Sequence, residues 1–328
     1  MSLSTRANLR SVAFVAAVLA SLVPAQAQDY PTKTVTIIVP FAAGGPIDAA
    51  ARLIAQPLSE RLGKPFIVEN LGGAGTSIGS LKVARAAPDG HTLLLQNLAL
   101  AATGTLYPQS GLDPAANFST VMFLASNALV LVGRKDMPPK SVAELQAWMK
   151  ANHAKVAHPG VGTTGQLTSV VLAKRLGVEI DLVPYRGAGP AMQDVVAGHV
   201  DLFIGTPLSV TELIKTGALQ GYGVTSAARL PQLPNVPSLA REIGPDLEVQ
   251  FWTAMFVPAG TPKPIVDKLA GVLEQVIVSD AVVKAFGTFD MQAYAKEQRT
   301  PEAGDRIFQA EVKRWSSLVR DNNIKAAD

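Results

Sequence analysis

Two glycine motifs have spacings that occur at cofactor or catalytic sites. The first, Gly160-Val161-Gly162-Thr163-Thr164-Gly165, matches G-x-G-x-x-G, in which glycines let the backbone approach a pyrophosphate at a helix N-terminus. Asp181 follows at about the spacing of a ribose-binding acid, some 20 residues on. Pro159 at the tight turn and the position in the middle of the chain argue against a nucleotide. The pattern favours a loop that binds an anion at the start of a helix.

The second motif, Gly75-Thr76-Ser77-Ile78-Gly79, matches the G-x-S-x-G elbow of serine hydrolases. An elbow follows its strand directly, whereas about six loop residues separate Ser77 from the strand predicted at 66–68. The histidines that could serve as its base lie at the edges of predicted elements: His91, His153, His158 and His199. A glycine-rich turn with a helix-capping Thr or Ser is the simpler interpretation. An exported α/β serine hydrolase that uses Ser77 remains the alternative.

Four loops rich in glycine or hydroxyl groups follow the carboxyl ends of predicted strands, at 40–48, 70–77, 159–166 and 185–191. Open α/β sheets bind their ligands at that edge. The first two loops contain no Lys or Arg, so an anion there would be held by backbone N–H groups, helix dipoles, the Thr76 hydroxyl and ordered water. Such donors orient a small carboxylate without attacking it. The loops therefore predict reversible carboxylate capture.

Two charged residues in these loops have alternative roles. Asp48 lies at the start of a predicted helix, where it either caps the helix or accepts a hydrogen bond from ordered water or from the ammonium group of an amino-acid ligand. Arg186 either meets a bound carboxylate or pairs with a surface acid. The sequence is compatible with either role for Asp48 and with either role for Arg186.

Composition narrows the function classes further. The 328 residues are 48% hydrophobic and 17% charged, which is typical of a globular protein, and they include no cysteine. Without cysteine there is no disulfide, and His153 and His158 have no acid at metal-ligand spacing, so we expect no metal and no cofactor. The formal net charge is only +3, and the chain is not expected to bind nucleic acid or a membrane surface.

Residues 1–27 have the pattern of a secretory signal peptide. Arg6 and Arg10 precede an apolar stretch too short to span a bilayer, and Ala25-Gln26-Ala27 forms a small-x-small cleavage site. We expect cleavage near Ala27 and export to the periplasm.

The elements that must position the loops alternate between strands and helices, which predicts an α/β fold. Two long strand candidates, 124–132 and 249–257, flank an inserted series of βα units. This arrangement predicts two lobes joined by two crossing strands near Asn127 and Trp252. The expected lobes are 28–125 with 254–328, and 126–253. Pro57 lies inside the first helical pattern and predicts a kink or break there.

The chain resembles the Bug-type (Bordetella uptake gene) solute-binding proteins of tripartite tricarboxylate transporters, over essentially the whole mature sequence. The resemblance is carried by several motifs in a fixed order: Tyr30-Pro31-x-Lys33, Val39-Pro40-Phe41-Ala42-Ala43-Gly44-Gly45 with Asp48 and Arg52, Val68-Glu69-Asn70 before Gly73-Ala74-Gly75, Ala87-Pro88-Asp89-Gly90-His91-Thr92-Leu93, Val183-Pro184-Tyr185-Arg186-Gly187, Pro190-Ala191 with Asp194, and Trp252 leading to Pro258-Ala259-Gly260-Thr261-Pro262. Two positions depart from the family pattern, Gln166 and Gly205.

The resemblance implies a two-lobed periplasmic-binding-protein fold of the Venus flytrap type, similar to type II, that closes on a small carboxylate. The ligand class would be a dicarboxylate, tricarboxylate, amino acid or aromatic acid. The expected partners are the membrane subunits of the transporter, and the receptor itself would be a monomer and not an enzyme. A receptor that serves a sensor is a further alternative. The expected ligand contacts are Phe41, Ala43, Gly44, Gly45, Asp48, Gly75, Thr76, Asn97, Gly162, Thr163, Thr164, Gln166, Tyr185, Arg186 and Thr206.

Overall fold

A computed structural model describes residues 30–185, 187–288 and 290–325. The expected signal peptide, 1–27, lies outside these residues. Within the described part of the chain, no helix is both long enough and apolar enough to cross a membrane.

The first lobe is built on a six-stranded sheet. Its strands are β1 (Val35–Val39), β2 (Phe66–Asn70), β3 (Thr92–Asn97), β4 (Phe118–Ala128), β10 (Gln250–Pro258) and β11 (Gln292–Ala293). Their order is β11-β4-β10-β3-β1-β2, with β1 parallel to β2 and β3, and β10 antiparallel to β3 and β4. The helices of this lobe are α1 (Pro46–Leu62), α2 (Ser77–Ala84), α3 (Ala99–Leu106), α4 (Pro114–Asn117), α10 (Lys263–Ile277), α11 (Asp280–Thr288) and α12 (Pro301–Asp321).

The second lobe has a five-stranded sheet. Its strands are β5 (Val130–Arg134), β6 (Ala154–His158), β7 (Ile180–Pro184), β8 (Leu202–Gly205) and β9 (Leu219–Val224). The order is β7-β6-β8-β5-β9, with β6 parallel to β7 and β8. Its helices are α5 (Val142–Ala151), α6 (Thr164–Leu176), α7 (Ala188–Ala197), α8 (Pro207–Lys215) and α9 (Leu239–Glu242). The α/β fold with two lobes is therefore confirmed.

The chain passes between the two sheets at Leu129 and again before β10. The long strand expected at 124–132 is two strands in different sheets, because β4 ends at Ala128 and β5 begins at Val130. Asn127 and Trp252, the expected crossing points, both still pair within the first sheet. Ala128 to Val132 are all apolar, so the local sequence gives no sign of the change of partner at Leu129.

Thr225 joins the two crossing segments. Its hydroxyl accepts a hydrogen bond from the Leu129 amide at 2.8 Å and donates one to the Val249 carbonyl at 2.6 Å, while its own amide donates to the Leu129 carbonyl. The side chain is fully buried, so these bonds are shielded from water. One residue thus ties together the two places where the backbone leaves one lobe for the other.

Helix α1 follows the loop that begins at residue 40. It starts at Pro46, two residues before Asp48. Its apolar face, which includes Ile47, Ile54 and Leu58, is buried against the first sheet, and Gly63 ends it in a left-handed conformation with φ 70°. The helix continues through Pro57, so the break considered for that position does not occur. Burial of Ile54 and Leu58 on either side of the proline holds the two turns in line.

Helix α12 packs on the same sheet through an aromatic cluster. The indole nitrogens of Trp252 and Trp315 both donate to one Glu311 carboxylate oxygen, at 2.8 and 2.9 Å. Phe308 packs beside Trp252 and Phe256, at centroid distances of 6.3 and 4.7 Å. The shared carboxylate satisfies both buried indoles and fixes the crossing strand β10 against the helix.

Candidate functional site

A cavity of about 410 Å³, here called the cleft cavity, lies between the two lobes. It is formed where β1, β3, β6, β7 and β8 end, so the carboxyl edges of both sheets face it. Its size is typical of a pocket for one small molecule. The residues that line it are Phe41, Ala42, Ala43, Gly44, Gly45, Pro46, Ile47, Asn97, Ala99, Leu129, Pro159, Thr163, Thr164, Gly165, Gly187, Ala188, Phe203, Ile204, Gly205, Thr206, Ser209 and Phe251.

Five helices begin at the wall of this cavity. Helices α1 and α3 come from the first lobe, and α6, α7 and α8 come from the second. The first-turn amides of a helix have no intrahelical acceptor, and each helix start carries roughly half a positive charge. Among the lining residues that the structure describes, no side chain is charged. The electrostatics of the cavity therefore favour an anion that is bound by main-chain dipoles.

Thr164, at the first position of α6, presents a hydroxyl that has no partner. The residue is 3% exposed, and its Oγ1 is buried without a hydrogen bond to any described group. An unpaired buried hydroxyl costs about 1–3 kcal/mol, so its place in the cavity wall suits a ligand that accepts its hydrogen. The neighbouring Thr163 hydroxyl differs, because it already donates to the Gly160 carbonyl at 2.7 Å.

Asn97 supplies a second donor, at the end of β3. Its side-chain oxygen accepts a hydrogen bond from the Ala99 amide at 3.0 Å, which satisfies a donor at the start of α3. This bond fixes which end of the amide is the acceptor. The amide nitrogen is then the group that can donate to a ligand in the cleft cavity.

Asp48 lies behind the cavity wall and organises the loop 40–48. Its carboxylate accepts hydrogen bonds from the Gly44 amide at 2.8 Å, the Asn70 side-chain amide at 3.0 Å and Arg52 Nε at 3.1 Å. Asn70 in turn donates to the Phe41 carbonyl. Burial opposes ionisation, but these hydrogen bonds and the Arg52 charge outweigh it and hold the pKa of Asp48 below its ordinary value. Gly45 occupies the N-cap of α1, so Asp48 stabilises the loop that precedes the cap.

The expected contacts in the loop 70–77 lie away from the cleft cavity. Gly75 is covered by the Tyr107 ring, since a Cβ atom added to it would lie 2.2 Å from a ring carbon. The Thr76 hydroxyl is buried 3.3 Å from that of Thr103. Both residues shape the support behind α3, and neither lines the cavity.

Two further expected contacts support the loop of the second lobe from behind. The buried side chain of Gln166 accepts the Gly162 amide through Oε1 at 2.7 Å, and neither residue lines the cleft cavity. Gln166 thereby fixes the turn that leads to Thr163 and Thr164. Gly162 itself packs against Leu106 of the first lobe.

Tyr185 also lies outside the cavity wall, whereas the next described residue, Gly187, lines it. The Tyr185 hydroxyl donates to Asp194 at 2.5 Å, and His199 contacts the other Asp194 oxygen. Burial, together with the bond to and the charge of Asp194, raises the pKa of Tyr185 to about 12. Tyr185 therefore anchors its loop to α7 through a hydroxyl that is already engaged. Arg186 lies outside the described residues.

The apolar walls of the cavity give no signal in the sequence. Leu129, Phe203, Ile204 and Phe251 come from the crossing segment and from strand ends. In the sequence these residues are indistinguishable from the core of a strand. Only the pairing of strands into two sheets shows that the ends of β8 and β10 face a shared space.

The alternative of a serine hydrolase lacks its base. Ser77 begins α2, and among the described residues no histidine forms a hydrogen bond to it. His91 contacts Thr32 and Asp89, and His158 contacts the Gly160 carbonyl. Ser77 therefore has no activated neighbour of the kind that a nucleophilic serine needs.

Comparisons with known proteins agree with this geometry. Residues 50–324 match the family described as "Tripartite tricarboxylate transporter family receptor". A relative from Agrobacterium vitis, the "UPF0065 protein in the TAR-I ttuE-ttuC' intergenic region", is 40% identical and is covered to 91%, with 94% of this chain aligned. The structure of "periplasmic binding protein BugD" is 33% identical with a TM-score of 0.78, over 91% of this chain and all of that one. MatC from Rhodopseudomonas palustris "with bound malate" is 35% identical with a TM-score of 0.79, over 88% of this chain and all of that one.

Proposed function

Because this chain belongs to the family of tripartite tricarboxylate transporter receptors, we propose that the cleft cavity is the place where it captures its carboxylate. Receptors of this family bind solutes, and the relationship to Bug proteins expected from the sequence motifs is confirmed. The function of this chain is therefore that of a solute-binding receptor for a transporter.

One observation carries the assignment of the site. Five helices begin at a cavity that no described charged side chain lines, and its lining residues include Thr164, whose buried hydroxyl has no partner. A neutral ligand would gain little from five aligned dipoles, whereas a carboxylate gains from each of them. The ligand contacts are then Phe41, Ala43, Gly44, Gly45, Asn97, Thr163, Thr164 and Thr206.

The walls suggest the body of the ligand. Leu129, Phe203 and Phe251 would contact carbon atoms, while the helix starts hold the carboxylate ends. Since the similar protein MatC was solved with malate, four-carbon dicarboxylates are the first ligands to examine for this chain. Asp48, Gln166 and Tyr185 act as positioning residues, because they hold the loops without lining the cavity.

Capture would proceed by closure of the two lobes about the crossing segments. A ligand held by the loop 40–48 completes its contacts when α6, α7 and α8 approach, and so it shifts the equilibrium toward the closed form. We further propose that the protein is exported with cleavage near Ala27, works as a monomer in the periplasm and hands its ligand to membrane subunits of the transporter.

The test is calorimetry on the mature chain, residues 28–328, with succinate, malate, adipate, citrate and benzoate. Succinamide, the neutral diamide of succinate, is the matched control for charge. We expect at least one carboxylate to bind and the diamide to bind at least a hundredfold more weakly. Equal binding of succinate and its diamide would contradict an anion site made of dipoles.

A further inference from the structure

A second depression on the surface adjoins the cleft cavity. It is a groove of about 590 Å³ between α7 and α8, lined by Ala188, Gly189, Met192, Gln193, Val196, Ala197, Ser209 and Leu213, and is here called the α7/α8 groove. Ala188 and Ser209 line the cleft cavity as well. The two spaces therefore adjoin each other at the starts of α7 and α8.

The chemistry of the groove differs from that of the cavity. Met192, Val196, Ala197 and Leu213 present hydrocarbon or thioether surface, and no described residue that lines the groove is charged. The Ser209 hydroxyl already donates to the Thr206 carbonyl at 2.7 Å, so it does not need a hydrogen-bond acceptor on a molecule bound in the groove. Val196 is 40% exposed, so its side chain is accessible to a molecule in the groove.

Gly187 and Gly189 flank Ala188, which lines both spaces at the start of α7. A Cβ atom placed on either glycine would have no atom within 4 Å. The described groups around these two glycines therefore leave room beside Ala188, where the groove adjoins the cavity.

We propose that the α7/α8 groove binds the hydrocarbon tail of a monocarboxylate whose carboxylate group occupies the cleft cavity. This inference rests on the proposed function, since the cavity supplies the anchor for the charged end. Met192 suits such a tail because its flexible, polarisable side chain adapts to chains of different shape. The substrate class of the receptor would then include acids with an extended apolar tail, in addition to short dicarboxylates.

The test is a calorimetric series of straight-chain acids, from butanoate through hexanoate to octanoate, with succinate as the reference for the cavity alone. Affinity should rise about fourfold for each methylene group that enters the groove. Octanoate should therefore bind at least tenfold more tightly than butanoate. A flat response to chain length, with succinate binding retained, would overturn the groove proposal alone. Loss of binding by all the acids, succinate included, would instead overturn the proposed function.

Two variants locate the effect. Ala197→Leu should lower the affinity for octanoate at least tenfold and leave that for succinate within twofold, because the leucine fills part of the groove at the end of α7 that is far from the helix start. Ala281→Leu is the matched control, since Ala281 is also an exposed helical alanine but lies in α11 of the first lobe. Val196→Asn changes the wall at an exposed position without a change of packing inside, and it should weaken octanoate selectively. Octanoate binding that is insensitive to both groove variants would contradict the proposal.

Discussion

Gly162 of the second lobe packs against Leu106 of the first so closely that a Cβ atom on the glycine would lie 2.7 Å from Leu106 Cδ1. The contact joins the loop before α6 to the end of α3, beside the cleft cavity. Gly162 also has φ +79°, where an alanine is strained. The arrangement shown here, with the lobes in contact, therefore depends on the absence of a side chain at this position.

The first prediction is that Gly162→Ala hinders lobe closure. A methyl group in this contact should lower carboxylate affinity at least tenfold and leave a larger radius of gyration at saturating ligand, as measured by small-angle scattering. Gly177→Ala is the control, because Gly177 has φ +63° and open space around its Cβ position. It should cost about 1 kcal/mol of stability, as the left-handed strain predicts, with unchanged affinity. If both variants bind like the wild type, the contact does not govern closure.

The second prediction concerns the Thr164 hydroxyl. Thr164→Val should weaken carboxylate binding about tenfold and leave the fold as stable as before or slightly more stable, because the hydroxyl has no partner without ligand. Thr211→Val is a matched control, since Thr211 Oγ1 is also buried without a partner but does not line the cleft cavity. Calorimetry and thermal unfolding of the two variants separate binding from stability. An affinity loss of the same size in Thr211→Val would refute the assignment.

The third prediction is an acid-sensitive loop around Asp48. A carboxyl group whose pKa is lowered by folding stabilises the protein above its unfolded pKa, about 3.9, and this stability is lost as the pH falls through the lower folded value. Asp48→Asn should fold and show a smaller loss of stability below about pH 4 than the wild type. Urea unfolding between pH 2.5 and 7 measures the difference.

The same variant should bind carboxylates more weakly, by about 1–3 kcal/mol at neutral pH, because an asparagine cannot accept all three hydrogen bonds that hold Gly44, Asn70 and Arg52. Lys263 and Asp267 form an exposed pair far from the cavity, so Asp267→Asn serves as a control. Unchanged affinity in Asp48→Asn would show that its network does not position the ligand-binding loop.

The fourth prediction tests the link between the crossing segments. Thr225→Val leaves the Leu129 amide and the Val249 carbonyl without their side-chain partner, which should cost about 1–3 kcal/mol of unfolding free energy. Thr225→Ser keeps the hydroxyl and should recover most of the loss. Hydrogen exchange at Leu129 reports the local effect, and equal protection of that amide in both variants would rule out the proposed link.

Local patterns predicted three loops that line the cleft cavity, 40–48, 159–166 and 185–191, whereas the fourth predicted loop, 70–77, does not line it. The glycines of the 160–165 motif also show what sequence alone left open. A Cβ atom on Gly165 would lie 2.5 Å from the Ile204 carbonyl oxygen, so this glycine permits α6 to approach β8. Gly162 permits the approach of Leu106. The spacing of a nucleotide motif thus has a packing explanation within this fold.

Long-range pairing was the part that local patterns could not supply. The division of 124–132 between two sheets depends on partners as distant as Thr225 and Trp252. The local sequence of a buried strand does not show which of two sheets the strand joins. For the same reason the apolar walls of the cavity were missed. The positions of Gly75 and Thr76 behind α3 depend on Tyr107 and Thr103, which no spacing within the loop indicates.

A site whose positive charge comes from helix starts has a consequence for how the receptor changes over generations. Peptide groups are present whatever the side chain. A single side-chain substitution in the cavity wall therefore does not remove all the helix dipoles that would bind the carboxylate. In the proposed site, Leu129, Phe203 and Phe251 would contribute contact and not charge, so substitutions there would change the shape of the wall without removing a helix dipole. Duplicated copies of such a gene can therefore change their ligand specificity through single substitutions in the wall. Each intermediate would still bind the carboxylate group that all these ligands share.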